Sequence, residues 1–446
     1  MKLQSLKWGV FVGLGLGSMQ VGADPCGMVP PIHVDRNDPG IARVGAQRTY
    51  VMFKDGVETM VLRPGFEGSV DEFGMLIPFP TPPAIRKIDD DTFAQIEAAV
   101  DPPELTVRIE KVRRPLVRSS KGMGMVASAE PESSEEGLEF DEVRVLNQEA
   151  VGMYQVAVLE AGSPKALSKW MSENGFRYPE GMDEVVKDYV DIRWCFLAVK
   201  AKVGSAGAVE PKPGMRNANP DLPAGASFDG HVQGMGFRFK TPEPVVPMRL
   251  SVFNGADPRN VVYLLAEKGM ALKGAPKELV VRQVAGSELY DHMTLPIPIK
   301  VEGGTLEGAS PNEIKRIRER RDPDQYNGIA RELFAADMLA VEKGVLALHF
   351  EEEEKALLNI SEALNLRGDS IDGLLHASIK EQRLEAIAGS VADLSEMTLT
   401  VLDGVIPGEL LASENLQFEP WTMPKKRNKT RSDGIRPVAG QIVFWR

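Results

Sequence analysis

Five histidines are the first candidates for a functional site, because an imidazole ring can bind a metal or carry a proton near neutral pH. They are His33, His231, His292, His349 and His376. No two lie within one helical turn, so the chain has no His-x-x-x-His pair of the kind that binds zinc on a helix. A site assembled from distant positions is the alternative. Isolated exposed or hydrogen-bonded histidines are the simpler interpretation, and we predict neither a metal nor a cofactor.

Acidic clusters are a second candidate, since carboxylate oxygens bind calcium. The run Asp-Arg-Asn-Asp at residues 35–38 lacks the central glycine and the distal glutamate of an EF-hand loop, and turn propensity explains it equally well. Four glutamates at residues 351–354 begin a helical stretch, where negative charge is favourable without any function. We interpret both clusters as exposed structure.

A basic cluster near the C-terminus could bind anionic polysaccharide, lipid head groups or nucleic acid. Its members are Lys425, Lys426, Arg427, Lys429 and Arg431. We favour an exposed loop before the last strand and keep an anion-binding patch as the alternative. The sequence lacks the motifs of serine hydrolases, zinc proteases, P-loop proteins and dinucleotide-binding proteins, so it gives no basis for naming catalytic residues.

The composition limits what these residues can belong to. At 446 residues the chain is long enough for two or three domains with substantial cores. Of its residues, 43% are hydrophobic. It carries 52 basic and 64 acidic residues, a formal net charge of −12. That balance favours solubility and argues against nucleic acid as the main ligand.

The N-terminus has the pattern of a secretory signal peptide. Lys2 and Lys7 form a positively charged region before a short apolar run from Trp8 to Gly17, and this run is shorter than the roughly 20 residues needed to span a bilayer. Residues 21–23, Val-Gly-Ala, predict cleavage before Asp24. We expect a soluble exported protein, periplasmic or extracellular, with no transmembrane anchor after cleavage.

Two cysteines in an exported chain point to a disulfide bond before any catalytic thiol. A bond between Cys26 and Cys195 would tie the mature N-terminus to a strand. It would close a very long loop, worth about 5 kcal/mol as an upper figure. The alternative is a buried, inert thiol at Cys195 and an exposed thiol at Cys26.

Alternating apolar residues and turn residues predict the strands. We place strands at 48–53, 57–62, 151–159, 194–203, 236–240, 245–253, 261–266 and 441–445. Asp55-Gly56 predicts a hairpin turn between the first two. Alternate residues from Cys195 to Val203 should form a stripe that faces the core.

Helices are predicted at 92–100, 164–174 and 183–190. Thr92 and Gln95 match a capping box, while Ser163 and Asp183 are placed as N-caps. Asn174-Gly175 should end the second helix in a left-handed cap. Residues 119–137 and 204–227 are predicted to be flexible loops, since they contain few bulky residues.

The apolar spacing becomes helical from residue 311 to about 390. We therefore predict an α+β fold: a β-rich N-terminal two-thirds with short helices, followed by a mainly α-helical C-terminal region. The predicted parts are a signal peptide at 1–23, a β-rich region at 24–303, and a helical region with a basic tail at 304–446. The boundary falls near 303–310, at Gly303-Gly304.

Three segments resemble a known family. They are DGVETMVLRPGFEGSVDEFGMLIPFPTPPAIRKIDDDTFAQI from Asp55, WMSENGFRYPEGMDEVVKDYVDIRWCFLAVK at 170–200, and FRFKTPEPVVPMRLSVFNG at 237–255. Together they resemble the DUF2330 family over roughly residues 26–300. One departure is Met28 after Cys26-Gly27, where the family pattern leads us to expect a second glycine. The resemblance implies an exported bacterial protein of unknown function and supplies no catalytic residues.

We expect a non-enzymatic binding or scaffolding module of the bacterial cell envelope, with another envelope protein or a polymer as partner and no nucleic acid. The alternative is a secreted hydrolase with an unrecognised site built from carboxylates. A pocket that joins two or more acidic side chains would favour the hydrolase, whereas a broad apolar patch on the helices would favour binding.

Overall fold

The part of the chain that the computed structural model describes comprises residues 41–43, 47–63, 66–68, 72–89, 91–110, 143–151, 154–202, 216–217, 234–254, 259–343, 393–413, 415–424 and 438–445. Its strands, in chain order, are β1 (Ile41–Arg43), β2 (Gln47–Lys54), β3 (Val57–Arg63), β4 (Phe66–Gly68), β5 (Glu72–Phe79), β6 (Ala84–Ile88), β7 (Glu104–Glu110), β8 (Val143–Val151), β9 (Tyr154–Ala161), β10 (Cys195–Lys202), β11 (Arg216–Asn217), β12 (Gly234–Lys240), β13 (Val245–Val246), β14 (Arg259–Ala266), β15 (Met270–Leu272), β16 (Val280–Ala285), β17 (Ile299–Glu302), β18 (Thr398–Val405), β19 (Leu416–Pro420) and β20 (Val438–Trp445). Its helices are α1 (Thr92–Val100), α2 (Pro164–Glu173), α3 (Met182–Asp191), α4 (Gly286–Thr294), α5 (Pro311–Arg320), α6 (Pro323–Lys343) and α7 (Gly408–Ser413), with 3-10 helices at Arg249–Asn254 and Asp393–Glu396.

Seven strands form the larger sheet, in the order β16-β18-β14-β2-β3-β12-β6. Neighbouring strands are antiparallel except β14 and β2, which run parallel. The β2–β3 hairpin turns at Asp55 and Gly56, whose φ angles are 49° and 75°. A two-residue turn of this kind needs positive φ at both central residues, which Asp and Gly tolerate. The predicted strand, turn and strand are confirmed.

A five-stranded sheet, in the order β11-β8-β9-β10-β5, packs face to face on the larger one. On β10 the side chains of Cys195, Leu197, Val199 and Ala201 are buried in the same core as Phe237 of the larger sheet. Because side chains alternate along a strand, one face of β10 supplies all four. The predicted inward stripe is confirmed over this range, and its last member, residue 203, lies outside the described residues.

Helices cover the outer faces of both sheets. α2 and α3 pack on the smaller sheet, where Trp170 and Tyr189 share a core with Phe196. α1, α4 and α6 pack on the larger sheet, where Phe334 lies against Tyr50 with ring centroids 5.5 Å apart. The described chain therefore forms four layers, helix on sheet on sheet on helix.

Three smaller sheets complete the described fold. They are β13-β19-β15, β17-β7-β20 and the pair β1-β4. In the second of these, β7 runs parallel to both of its neighbours. Ile317 of α5 packs with Val107 and Ile442 of this sheet.

The prediction of a mainly helical C-terminal region is wrong. Beyond residue 311 the described chain contains α5 and α6, but β18, β19 and β20 each join a different sheet. β18 lies inside the larger sheet, between β16 and β14. Its alternation spans eight residues, and without its partners such a short run is hard to separate from a helical pattern. The predicted helical segment from 344 to 390 lies outside the described residues, and the domain boundary near 303 stays a prediction.

Several local predictions are confirmed at the second helix. Ser163 is the N-cap of α2, and its side chain accepts a hydrogen bond from Ala166 N at 3.1 Å. Pro164 occupies the first helical position. Gly175 follows the helix in the left-handed conformation, with φ of 79°.

Other helix starts differ from the prediction. Asp91 is the N-cap of α1, so Thr92 begins the helix and the capping box does not form. Gln95 instead accepts a hydrogen bond from Ile329 N of α6, because tertiary packing outweighs the local motif. Asp183 lies in the first turn of α3 rather than at its N-cap, which is Gly181 with φ of 82°.

The predicted strand at 245–253 is also wrong. The strand stops at Val246, and Arg249–Asn254 forms a 3-10 helix. Pro247 has no backbone N–H to continue a ladder, which accounts for the break. Most of the two predicted flexible loops lies outside the described residues, although β11, inside 204–227, pairs in parallel with β8.

Candidate functional site

A cleft of about 680 Å³ opens on the helix-bearing face of the larger sheet. Its floor is made by β2, β14, β16 and β18, and its walls include α1 and the start of α6. Six charged side chains line it, three arginines and three carboxylates: Arg48, Arg259, Arg282, Glu97, Asp101 and Asp403. A cavity of this size is in the range that holds small molecules or single units of a polymer.

The alternation of the strands brings the arginines to the cleft. On β2 Tyr50 is buried under the helices, while Arg48, two residues earlier on the same face, lines the cleft. On β14 and β16 the same alternation leads from the buried core to Arg259 and Arg282. The face is therefore apolar where helices cover it and charged where they do not.

Two of the arginines are held by carboxylates. Arg259 forms a bidentate pair with Asp403, with Nε–Oδ1 and Nη2–Oδ2 distances of 3.0 Å. The Nε of Arg48 lies 2.7 Å from Oε1 of Glu97 on α1. Such pairs contribute little stability at a surface, but they fix the positions of the charged groups.

A tyrosine completes the wall beside Glu97. The Tyr263 hydroxyl donates to Glu97 Oε1 at 3.1 Å. Burial, and then the charge of Glu97, raises the pKa of Tyr263 well above its ordinary value, so the phenol stays protonated and acts as a donor. Burial likewise raises the pKa of Tyr326, which lines the cleft from α6.

A second cavity of about 300 Å³ adjoins the cleft, since Asp101 and Arg282 line both. Arg282 Nη2 donates to Val100 O at 3.0 Å, and its Nη1 lies 3.7 Å from Oδ2 of Asp101. The Arg282 side chain therefore lies between the two cavities and lines both. We call the second one the acidic cavity, because Glu288 and Asp291 of α4 also line it.

Of the five candidate histidines, His292 lines the acidic cavity. Its Nδ1 lies 2.8 Å from Ala99 O. A carbonyl only accepts hydrogen bonds, so this contact places a proton on Nδ1. Nε2 lies 3.8 Å from Oε1 of Glu288. The other four histidines lie outside the described residues.

A buried polar network lies on the same sheet face, under α6. Asp337 of α6 accepts hydrogen bonds from Tyr50 Oη at 2.9 Å, from Thr59 Oγ1 at 2.7 Å and from Arg238 Nη2. Arg238 Nε also donates to Thr59 Oγ1 at 2.9 Å. The side chains of Arg238 and Asp337 are 1% and 0% exposed, so no ligand reaches them. The network joins α6 to β2, β3 and β12.

Glu58 is buried between the two sheets, on the opposite face of β3 from Thr59. Its Oε2 accepts a hydrogen bond from Val245 N at 3.0 Å, and its Oε1 has no partner among the described residues. Burial raises the pKa of Glu58 well above its ordinary value. Burial therefore favours the protonated form of Glu58, because that form avoids the cost of burying a charge.

The other predicted site residues are not brought together by the described structure. Cys195 is buried, burial raises its pKa to about 12, and its Sγ donates to Phe79 O at 3.5 Å. Cys26 and the basic cluster lie outside the described residues, so the disulfide bond and the anion-binding patch stay predictions. Over the described ranges, no three His, Cys, Asp or Glu side chains are grouped to hold a metal.

The sequence did not indicate the cleft arginines. Arg48, Arg259 and Arg282 each continue the apolar alternation of a strand by one step, and that was the signal available. A charged residue at a strand end is common, however, and it can be recognised as part of a site only when the neighbouring strands are known. The pairing of β14 with β2 joins residues more than 200 positions apart in the sequence.

The described helices contain no segment long and apolar enough to cross a membrane. Fold and cleft together define a β-rich four-layer protein with a polar cavity over one sheet. The family model described as "Uncharacterized protein conserved in bacteria (DUF2330)" matches residues 26–285, and the chain belongs to this family. The predicted resemblance is confirmed.

Comparison with curated proteins gives no match. Among solved structures, the crystal structure of baculovirus P35 is similar over 54% of this chain and 75% of that one, with 8% identity and a TM-score of 0.21. A similarity of this size supports no argument about fold or function.

Proposed function

We propose that the protein is an exported, non-enzymatic binding module of the bacterial cell envelope, and that the cleft holds its ligand. The observation that carries the proposal is the convergence of three arginines on one open sheet face. The pattern of a signal peptide at residues 1–23 supports export.

The cleft chemistry suits a ligand that carries both hydroxyl and carboxylate groups. The Nη groups of Arg48, whose Nε pairs with Glu97, can donate to a ligand carboxylate, and the carboxylates of Glu97 and Asp403 can accept from ligand hydroxyls. The Arg48 side chain is 41% exposed, so it can meet such a ligand. Acidic polysaccharides of the envelope have this chemistry, and we propose them as the ligand.

The test is calorimetric titration of the mature protein with two soluble polymers, polygalacturonate fragments and uncharged dextran fragments. We expect binding of the first and not of the second. Arg48→Ala and Arg259→Ala should each weaken it about tenfold, the loss of one charge-assisted contact. Arg144→Ala is the matched control, since Arg144 is an exposed arginine that pairs with Glu160 on the other sheet. Equal loss in the control, or no binding by the wild-type protein, would refute the proposal.

A secreted hydrolase is the second candidate, and one observation favours it. Asp101, Glu288 and Asp291 line one cavity. Carboxylate pairs perform acid–base and nucleophilic chemistry in most glycoside hydrolases. Release of reducing ends from the polygalacturonate fragments, lost in Glu288→Gln, would favour this candidate over binding alone.

A further inference from the structure

The β16 strand forms one edge of the larger sheet. It pairs antiparallel with β18, and just beyond it Gly286 N donates to Met397 O at 2.8 Å. This bond sets the register, since hydrogen-bonding residues alternate along an antiparallel pair. The backbone groups of Val281, Gln283 and Ala285 therefore point away from β18. Within the described chain they have no backbone partner on that side.

An open edge of this kind is a template for another strand. Proteins that bind peptides by strand addition use the backbone groups of the edge for affinity and neighbouring pockets for specificity. Arg282 belongs to this strand and also lines the acidic cavity. Adjacent strands lie about 4.8 Å apart, so a strand added beside β16 would reach that cavity.

The acidic cavity has the chemistry to receive a basic side chain. Three carboxylates, those of Asp101, Glu288 and Asp291, line it, against one guanidinium group, that of Arg282. Two prolines, at 296 and 298, line it as well, together with Leu295, which is 57% exposed. An apolar wall beside carboxylates matches the aliphatic stem and cationic end of Lys or Arg.

We propose that the β16 edge binds an extended basic segment of a partner protein as an additional strand, with a Lys or Arg side chain in the acidic cavity. The backbone edge supplies affinity that does not depend on sequence, and the cavity supplies the preference for a basic residue. This interaction surface shares Asp101 and Arg282 with the cleft. The two proposals are still tested apart, because the peptide and the polysaccharide are different probes and the variants at Val281, Glu288 and Asp291 lie outside the cleft lining.

The probe is a fluorescein-labelled octapeptide of alternating threonine and lysine, with alternating threonine and glutamate as its matched control. Fluorescence anisotropy with the full mature chain measures the affinity, and hydrogen exchange locates the site. We expect the lysine peptide to bind and to slow exchange of the amides of Val281 and Gln283. The glutamate peptide should bind at least tenfold more weakly.

Two variants separate the edge from the cavity. Val281→Pro removes one outward N–H while leaving the bonds to β18, and it should weaken binding about threefold to tenfold. Val281→Thr keeps that N–H and is its control. Glu288→Gln combined with Asp291→Asn should reduce the preference for lysine over glutamate about fivefold. Glu278→Gln, an exposed residue before β16, controls for a general change of charge.

Three results would overturn the proposal. One is equal binding of the lysine and glutamate peptides. Another is unchanged exchange at Val281 and Gln283 when the lysine peptide binds. The third is a dimer in sedimentation that Val281→Pro abolishes, because a second copy of this chain would then occupy the edge.

Discussion

Replacing Asp337 by alanine should destabilise the protein strongly, because it removes the carboxylate that accepts a hydrogen bond from the buried Arg238 guanidinium. Asp337 accepts two neutral hydrogen bonds, from Tyr50 and Thr59, and one charged bond from Arg238. With about 1 kcal/mol for each neutral bond and about 2 kcal/mol for the charged one, the loss comes to about 4 kcal/mol. Removal of one partner from other buried ion pairs costs about 3–5 kcal/mol, which agrees.

The assay is equilibrium unfolding of the mature chain in urea, followed by fluorescence and by circular dichroism to test for a single transition. Gln325→Ala, an exposed position on the same helix, is the control and should change the free energy of unfolding by less than about 0.5 kcal/mol. A second comparison uses Asp337→Leu with Arg238→Met. Well-packed apolar residues often replace a buried pair without loss, so the double variant should recover most of the stability.

Two outcomes would refute this reasoning. If Asp337→Ala lowers the free energy of unfolding by less than about 1 kcal/mol, then the Arg238 charge is not isolated by burial as the structure indicates. If the double variant is no more stable than Asp337→Ala alone, the loss arises from packing of α6 and not from the loss of the Asp337–Arg238 pair.

Three further predictions concern Glu58, the two cysteines and Gly286. The pKa of Glu58 is raised, so its stabilising contribution is complete below about pH 4.3, its unfolded value, and is lost as pH rises toward the folded pKa. Glu58→Gln should remove this part of the pH dependence of urea unfolding, about 1.4 kcal/mol per pH unit, and an unchanged slope would contradict it. The bond predicted between Cys26 and Cys195 leaves no free thiol in unfolded, unreduced mature protein, and two thiols per chain would exclude it. A Cβ on Gly286 would lie 1.6 Å from Leu394 O, so Gly286→Ala should lower the melting temperature by several degrees or prevent folding, whereas Gly274→Ala should be milder.

Local signals predicted the elements that depend on few neighbours. The turn at Asp55-Gly56 needs a particular backbone conformation, and the cap at Ser163 needs one hydroxyl and one N–H, so both could be read from the sequence. The capping box at Thr92 failed because Gln95 has a better partner on α6, more than 200 residues away. Such competition between local and distant partners is invisible without the fold.

The cleft and the role of the C-terminal region could not be predicted for a related reason. Arg48, Arg259, Arg282 and Asp403 come from four strands whose order in the sheet does not follow the chain. Nothing in the sequence around these four residues indicates that they form one site. The β18 strand lies after the predicted helical spacing, which ends near residue 390, and it was missed because a short apolar run is not decisive until its partners are known.

The residues beyond the family match belong to the same fold as those inside it. The match ends at residue 285, yet β18 lies between β16 and β14, and Asp337 neutralises an arginine of β12. A chain ending at Gly303 would lack β18, the strand that joins β16 to β14, and would lack the Asp337 carboxylate that pairs with the buried Arg238. Asp403, the partner of Arg259 in the cleft, would be lost as well. The matched region therefore needs the C-terminal part both to close the sheet and to complete the cleft.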